Sequence, residues 1–271
     1  MKTELLYGIH PVAEALAASR RIFREVFVVA DSSSKRLSII ESVAASKNIP
    51  VRRVAMTQLN RIVGDIAHQG TAARVGPYPL VDLTTVLTQA SASDPSRFLV
   101  LLDTVVDPQN LGAIIRTALG VGVEGVVIPR DRAAGPTPAV SKASAGALEH
   151  LHLVQVTNLS ATIRTLQGRG WWVYGMDRSA ELSVFEVDLT GSVAMVIGGE
   201  EKGIRPLVKQ GCDLLLSIPQ RGPVGSLNAS AAAAVALYEA YRQRSGGANA
   251  ATGVKHRRAA GPSSHQKGRV Q

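Results

Sequence analysis

The sequence predicts an α/β fold: a parallel sheet flanked by helices over residues 97–245, preceded by a smaller α/β unit over residues 1–76. Three observations carry this expectation. From Arg97 onward, short apolar runs of strand length alternate with helical stretches, the pattern of a parallel sheet covered on both faces. Two of these runs, ending at Gly198 and at Ile218, are unbroken and then stop in glycines and polar side chains. Apolar residues make up 45% of the 271 residues, ample for a core. No apolar run approaches the roughly 20 residues of a membrane span.

In the first unit, Gly8-Ile9-His10-Pro11-Val12 opens a helix through Leu16, with Pro11 suited to its first turn. Glu25–Ala30 reads as a strand, Leu37–Ala45 as a helix, Val51–Val54 as a strand and Gln58–Val63 as a short helix. His68-Gln69-Gly70 then turns into a last strand. Residues 77–96 hold Pro77, Pro79 and Pro95 among Ser and Thr, and read as a linker with a short helix at Leu83–Gln89.

Beyond the linker, strands are expected at Phe98–Asp103, Gly125–Pro129, Leu151–Val156, Trp172–Met176, Ala194–Gly198 and Leu214–Ile218. Helices are expected at Asn110–Leu119, Ala139–Ala147, Leu159–Gln167, Arg205–Lys209 and Asn228–Arg244. Trp171 and Trp172 are read as packing residues. Residues 246–271 lack apolar periodicity and read as a basic, disordered tail.

Gly120-Val121-Gly122-Val123-Glu124-Gly125 matches the G-x-G-x-x-G spacing of dinucleotide sites. A working fingerprint follows a strand and opens a helix; here a helix precedes and a strand follows, so the glycines end the helix and turn the chain. The sequence has no paired-carboxylate signature, nucleophile elbow or metal-ligand spacing, and metal is not expected. The single cysteine, Cys212, excludes an intramolecular disulfide and reads as a small buried residue. The first eight residues lack the apolar core of a secretory signal, and a cytoplasmic, membrane-free protein is expected.

The net charge of +9 is unevenly divided. Residues 1–76 hold eleven Lys and Arg against six Asp and Glu, residues 77–245 fourteen against fifteen, and residues 246–271 five against none. Basic ends around a neutral middle suit a polyanion gripped away from the chemistry. Arg20, Arg21 and Arg24 form one candidate contact cluster, Arg52 and Arg53 another.

The two polar interruptions mark the expected site, because ligands of open α/β sheets sit beyond the carboxyl ends of the strands. Gly198-Gly199-Glu200, and Ile218-Pro219 followed by Ser226-Leu227-Asn228-Ala229-Ser230, resemble the last two motifs of the SPOUT-class RNA ribose 2′-O-methyltransferases. Leu101-Leu102-Asp103 with Asp107-Pro108-Gln109-Asn110 through Arg116-Thr117-Ala118 resembles the first. Tyr7-Gly8-Ile9-His10-Pro11-Val12 and His68-Gln69-Gly70 look like the L30e-like domain that precedes the catalytic domain in ribosomal-RNA members.

The resemblance implies a SPOUT domain with a deep trefoil knot, S-adenosylmethionine as methyl donor, and a homodimer acting on a guanosine ribose of large-subunit (23S) ribosomal RNA. Gly198 would let the backbone approach the cofactor, Ile218 would offer main-chain groups to its adenine, and Leu227 would complete the pocket wall. Asn110, Arg116, Glu200, Ser226 and Asn228 form the implied polar catalytic set. Asn110 is expected at a helix N-cap. Arg116, on a largely apolar helix, is expected to face RNA phosphate or a carboxylate such as Glu200. Three alternatives stay open at this stage: a transfer-RNA ribose methyltransferase, a resistance-type ribosomal-RNA methyltransferase, and an RNA-binding protein that keeps the fold without catalysis.

Overall fold

The computed structural model describes residues 2–31, 33–88, 97–222 and 226–246. Residues 89–96 of the expected 77–96 linker and residues 247–271 of the expected tail lie outside them.

The N-terminal elements are β1 (Glu4–Tyr7), α1 (Ile9–Ala18), β2 (Phe23–Val29), α2 (Lys35–Ser46), β3 (Val51–Val54), α3 (Met56–Val63), β4 (Thr71–Val75) and α4 (Leu83–Thr88). The first seven build a four-stranded sheet, ordered β1-β4-β2-β3, in which only β2 and β3 run parallel. Strand periodicity of two explains the apolar run in β2. Val26 and Val28 join Leu6, Val12, Leu16 and Ile40 on one face, while Phe27 and Val29 join Val54 and Leu59 on the other. Strand β1 was not expected, because its four residues lead directly into a helix.

The remaining elements are β5 (Phe98–Asp103), α5 (Pro108–Gly120), β6 (Gly125–Pro129), α6 (Pro138–Ala143), a 3-10 turn (Ala147–Glu149), β7 (His152–Val156), α7 (Leu159–Gln167), β8 (Trp172–Met176), β9 (Leu182–Ser183), β10 (Val193–Gly198), α8 (Pro206–Gly211), β11 (Leu214–Ser217) and α9 (Ala229–Ser245). All seven strands are parallel, in the order β7-β6-β5-β10-β8-β11-β9.

Both faces of this sheet are covered, as the unbroken apolar runs require. Phe98, Val100 and Leu102 of β5 pack with Met195 and Ile197 of β10 on one side; Leu99 and Leu101 pack with Ala194 and Val196 on the other. Apart from Ala194, each of these buried side chains contributes about 2 kcal/mol of transfer free energy. The G-x-G-x-x-G stretch behaves as expected: α5 ends at Gly120, Gly122 turns the chain at φ 77°, and β6 starts at Gly125. Trp171 is buried under the Arg97 guanidinium, and Trp172 stacks on Tyr174, so both pack.

Two expectations need correction. The helix expected to reach Ala147 ends at Ala143, because Ala145 and Gly146 adopt positive φ (51° and 86°) and break it. Arg20 and Arg21 are not an RNA-facing cluster. Arg21 is buried and pairs with Glu4 (2.6 Å) and Glu149 (2.7 Å), while Arg20 donates to the Leu151 carbonyl (2.6 Å). Arg52 and Arg53 also pair, with Glu25 (3.3 Å) and Glu41 (2.7 Å), but their side chains are 58% and 68% exposed and stay open to a polyanion. Counting charges along a sequence cannot see these long-range pairs.

Candidate active site

Because the strands are parallel, the carboxyl ends of β8, β10 and β11 open on one edge of the sheet. The segments that leave them enclose a cavity of about 470 Å³. Its walls come from Met176–Ser179 after β8, Ile197–Gly203 after β10, Leu216, Ile218 and Gln220 of β11 and beyond, and Ser226, Leu227, Ala229 and Ala232 entering α9. That volume falls within the range of small-molecule sites.

Registration of β10 on β5 sets the geometry of the floor. Gly198 lies opposite Asp103. A Cβ on Gly198 would stand 2.2 Å from the carbonyl carbon of Gly203, and one on Gly199 would stand 2.2 Å from the Thr104 carbonyl oxygen. Gly198 is therefore required by a close approach of the chain to itself, and it also lines the cavity where the cofactor was expected. The loop closes with Gly203 N–H donating to the Gly199 carbonyl at 3.0 Å.

Asp103 pins the same loop and is fully buried. Its Oδ2 accepts from the Arg205 backbone N–H, and its Oδ1 from Arg205 Nε, both at 2.8 Å. A buried carboxylate is tolerated only when paired in this way. Asp177 steadies the β8 exit through Lys209 (2.6 Å) and the Ser179 N–H (2.8 Å). Burial alone would raise its carboxyl pKa; the hydrogen bonds from Lys209 and Ser179 outweigh burial and hold it below its ordinary value. Cys212, behind β8, has its thiol pushed up to about 12 by burial, with Asp213 and Asp103 adding to the shift. It stays protonated and has no nucleophilic character.

The polar residues expected to act together fall into two groups. The side-chain amides of Asn110 and Asn228 both donate to Oε1 of Glu200, the latter at 2.7 Å. Asn228 also caps α9, accepting from the Ser230 N–H at 2.9 Å. Asn110 is not the cap of α5: Asp107 accepts from the Gln109 N–H at 2.9 Å, and Asn110 lies within the first turn, buried and aimed at Glu200. Glu200, Ser226, Gly198, Ile218 and Leu227 all line the cavity. Arg116 stands apart, exposed on α5, with no hydrogen bond or ion pair to any described residue. The expected pairing of Arg116 with Glu200 within one chain is absent.

Sequence reasoning missed Arg205 and Lys209 as loop anchors, and no local signal announces them. Their partners are 102 residues away at Asp103 and across the sheet at Asp177. Among the described residues, no group of His, Cys, Asp and Glu could hold a metal, and no helix is long and apolar enough to cross a membrane.

An all-parallel sheet with a loop-walled cavity beyond its strand ends, lined by glycines and one shared carboxylate, defines an α/β protein built to take a compact ligand beside a polar cluster. Residues 97–238 match the SpoU rRNA Methylase family, and residues 5–81 match the RNA 2′-O ribose methyltransferase substrate-binding family. The chain belongs to the SpoU rRNA methylase family.

It is 41% identical over 243 residues to a 23S rRNA (guanosine-2′-O-)-methyltransferase RlmB of Xylella fastidiosa, covering 90% of this chain and 98% of that one. The RlmB of Xanthomonas campestris is 41% identical over 245 residues, with the same coverage. Among solved structures, the SpoU methyltransferase AviRb of Streptomyces viridochromogenes, in complex with AdoMet, superposes with a TM-score of 0.73 at 27% identity, covering 89% of each chain.

Proposed function

We propose that the protein transfers a methyl group from S-adenosylmethionine to the ribose 2′-hydroxyl of a guanosine in 23S ribosomal RNA, in the cytoplasm. The convergence of Asn110 and Asn228 on Glu200, a residue that lines the cavity, carries this reading, since three separate chain segments bring their polar side chains together there. The activity by which the relatives are named and the AdoMet of the AviRb complex support it. So does the match of residues 5–81, from which we take residues 1–76 as the RNA-holding domain, 77–96 as the linker, 97–245 as the catalytic domain and 246–271 as a basic tail.

The cavity suits the cofactor. Ile197, Leu216, Ile218 and Leu227 offer apolar walls for a nucleoside, and the turns at 199–203 and 218–220 offer backbone groups for its polar edges. When bound, the sulfonium supplies an activated methyl group, so the protein needs neither metal nor covalent nucleophile. The new bond joins the ribose oxygen to the methyl carbon, the carbon–sulfur bond breaks, and the hydroxyl proton must leave.

The chain's own residues align the acceptor and steer that proton. Glu200 holds Asn110 and Asn228 in place, and Ser226 with Asn228 positions the nucleotide. Arginine is a very poor base, so Arg116 acts as an electrostatic organiser at an RNA phosphate that receives the proton.

The active form in this reading is a homodimer in which Arg116 of one protomer serves the cavity of its partner. Its exposure and its lack of a partner among the described residues support that, as do the exposed Leu119 of α5 and Tyr238 and Tyr241 of α9. α5 and α9 pack on each other, so these residues belong to one helical layer. The test is transfer of labelled methyl from S-adenosylmethionine to ribosomal RNA in the presence of a metal chelator, with transfer RNA as comparison. Label on ribosomal RNA alone supports the reading; label on transfer RNA alone favours the other family activity.

A further inference from the structure

We infer that residues 138–151 lock the N-terminal sheet unit to helix α5, with Glu149 as the positioning residue, so that RNA held by that unit meets the cavity in one orientation. This rests on the functional reading above. The segment is clasped on both sides.

Toward the N-terminal unit, Glu149 takes a two-pronged contact from Arg21, Nε to Oε2 at 2.7 Å and Nη2 to Oε1 at 3.0 Å. Ser141 Oγ donates to Oε1 of the same carboxylate at 2.9 Å. Arg21 spends its remaining nitrogen on Glu4 of β1, at 2.6 Å. Arg20 and the Tyr78 hydroxyl both donate to the Leu151 carbonyl. At the other end of the segment, Lys142 reaches Gln69 Oε1 at 2.8 Å, in the turn before β4. Between them Gly146, at φ 86°, lies so close to α1 that a Cβ there would come within 2.6 Å of Glu14 Cγ and 3.0 Å of the His10 carbonyl.

Toward the active site the segment is wedged against α5. A Cβ on Gly112 would lie 2.4 Å from Ala143 Cβ and 2.8 Å from the Ser144 nitrogen. Gly112 is two residues from Asn110, on the helix that also carries Arg116.

The chemistry favours a positioning role over a stabilising one. Arg21 and Glu149 are almost wholly buried, and such a pair gains little over a well-packed apolar replacement because both charges lose their hydration. What the planar fork provides is direction: two parallel hydrogen bonds tolerate little rotation between their carriers. The pair spans 128 residues and joins two sheets that share no strand. Among the described residues, the side-chain partners of Glu149, Arg21 and Ser141, do not line the cavity, so it acts through α6 and α5.

The test follows the full chain with Cys212→Ala, Ile39→Cys and Leu207→Cys, spin-labelled on these exposed positions and diluted into excess unlabelled protein. The parent should give one narrow intrachain distance and Glu149→Gln a broadened one. Turnover at saturating RNA should fall in Glu149→Gln on the order of tenfold, with the Michaelis constant for RNA and the cofactor affinity unchanged. A purely structural role would instead reduce the cofactor-binding fraction. If Glu149→Gln binds no cofactor, Arg21→Lys, which keeps the charge and loses the fork, decides by the same three readings. A broad distance in the parent, or identical distances and turnover in parent and variant, overturns the inference. A parent that methylates no RNA refutes the functional reading instead, and the distances still decide the coupling.

Discussion

Asn110 and Asn228, 118 positions apart, place their side-chain amides on the same oxygen of Glu200. One helix carries the first at its opening turn and another is capped by the second, so Glu200 joins two helix starts at the rim of one cavity. Glu200→Gln removes the charge and turns one acceptor toward a donor. Cofactor affinity should stay within about twofold while turnover falls at least about tenfold, the scale of a lost charge-assisted hydrogen bond. Calorimetry and single-turnover methylation check the two halves separately.

Arg205→Ala should leave Asp103 buried without its guanidinium partner. Removing one member of a buried pair costs about 3 kcal/mol, less here because the Arg205 side chain is 40% exposed. Urea denaturation should show a loss of about 2 kcal/mol. Asp103→Asn should be milder, because it removes the charge that needs compensation.

Gly198 and Leu227 line the same cavity for different reasons. Gly198→Ala pushes a Cβ into the Gly203–Ile204 backbone, so stability and cofactor affinity should fall together. Leu227→Ala trims an exposed wall and should weaken the cofactor by about tenfold with Tm unchanged within about 1 °C. Thermal scans with and without cofactor separate the two.

His68 supplies a pH dependence. Its Nδ1 accepts from the Gly70 N–H at 3.1 Å and its Nε2 meets Asn60 Oδ1 at 2.6 Å, which places the proton on Nε2. Burial, then the nearby Lys142, lowers its pKa below 6.5. The unfolded chain therefore takes up a proton first. Stability is full above about pH 6.5 and declines as pH falls toward the lowered folded value. Tm should drop by about 2 °C more in the native protein than in His68→Gln across that window. His152, also lowered by burial, contributes with the same sign in both.

The sheet was legible because its strands are buried on both faces. Runs such as Phe98–Asp103 and Val193–Gly198 must be continuous apolar stretches to pack two clusters at once. The site's location was legible for the same reason, since apolar runs that stop in glycine mark strand ends. Two-residue β9 and the break at Ala145–Gly146 leave no periodic trace. Nor do partnerships that depend on the finished fold. Arg20 and Arg21 read as a solvent-facing basic cluster until Glu149 and Leu151 meet them from more than a hundred residues away. The reason for Gly198 was invisible as well: its neighbour is the chain five residues on.

The most direct measurement maps 2′-O-methylation across unmodified 23S ribosomal RNA after incubation with S-adenosylmethionine and either the native protein or Arg116→Ala. The account predicts one newly protected guanosine ribose with the native protein. With Arg116→Ala the same ribose should be methylated slower by about a hundredfold or more, RNA binding being retained. No ribose methylation of 23S RNA by a protein that binds the cofactor, or undiminished methylation by Arg116→Ala, would contradict it.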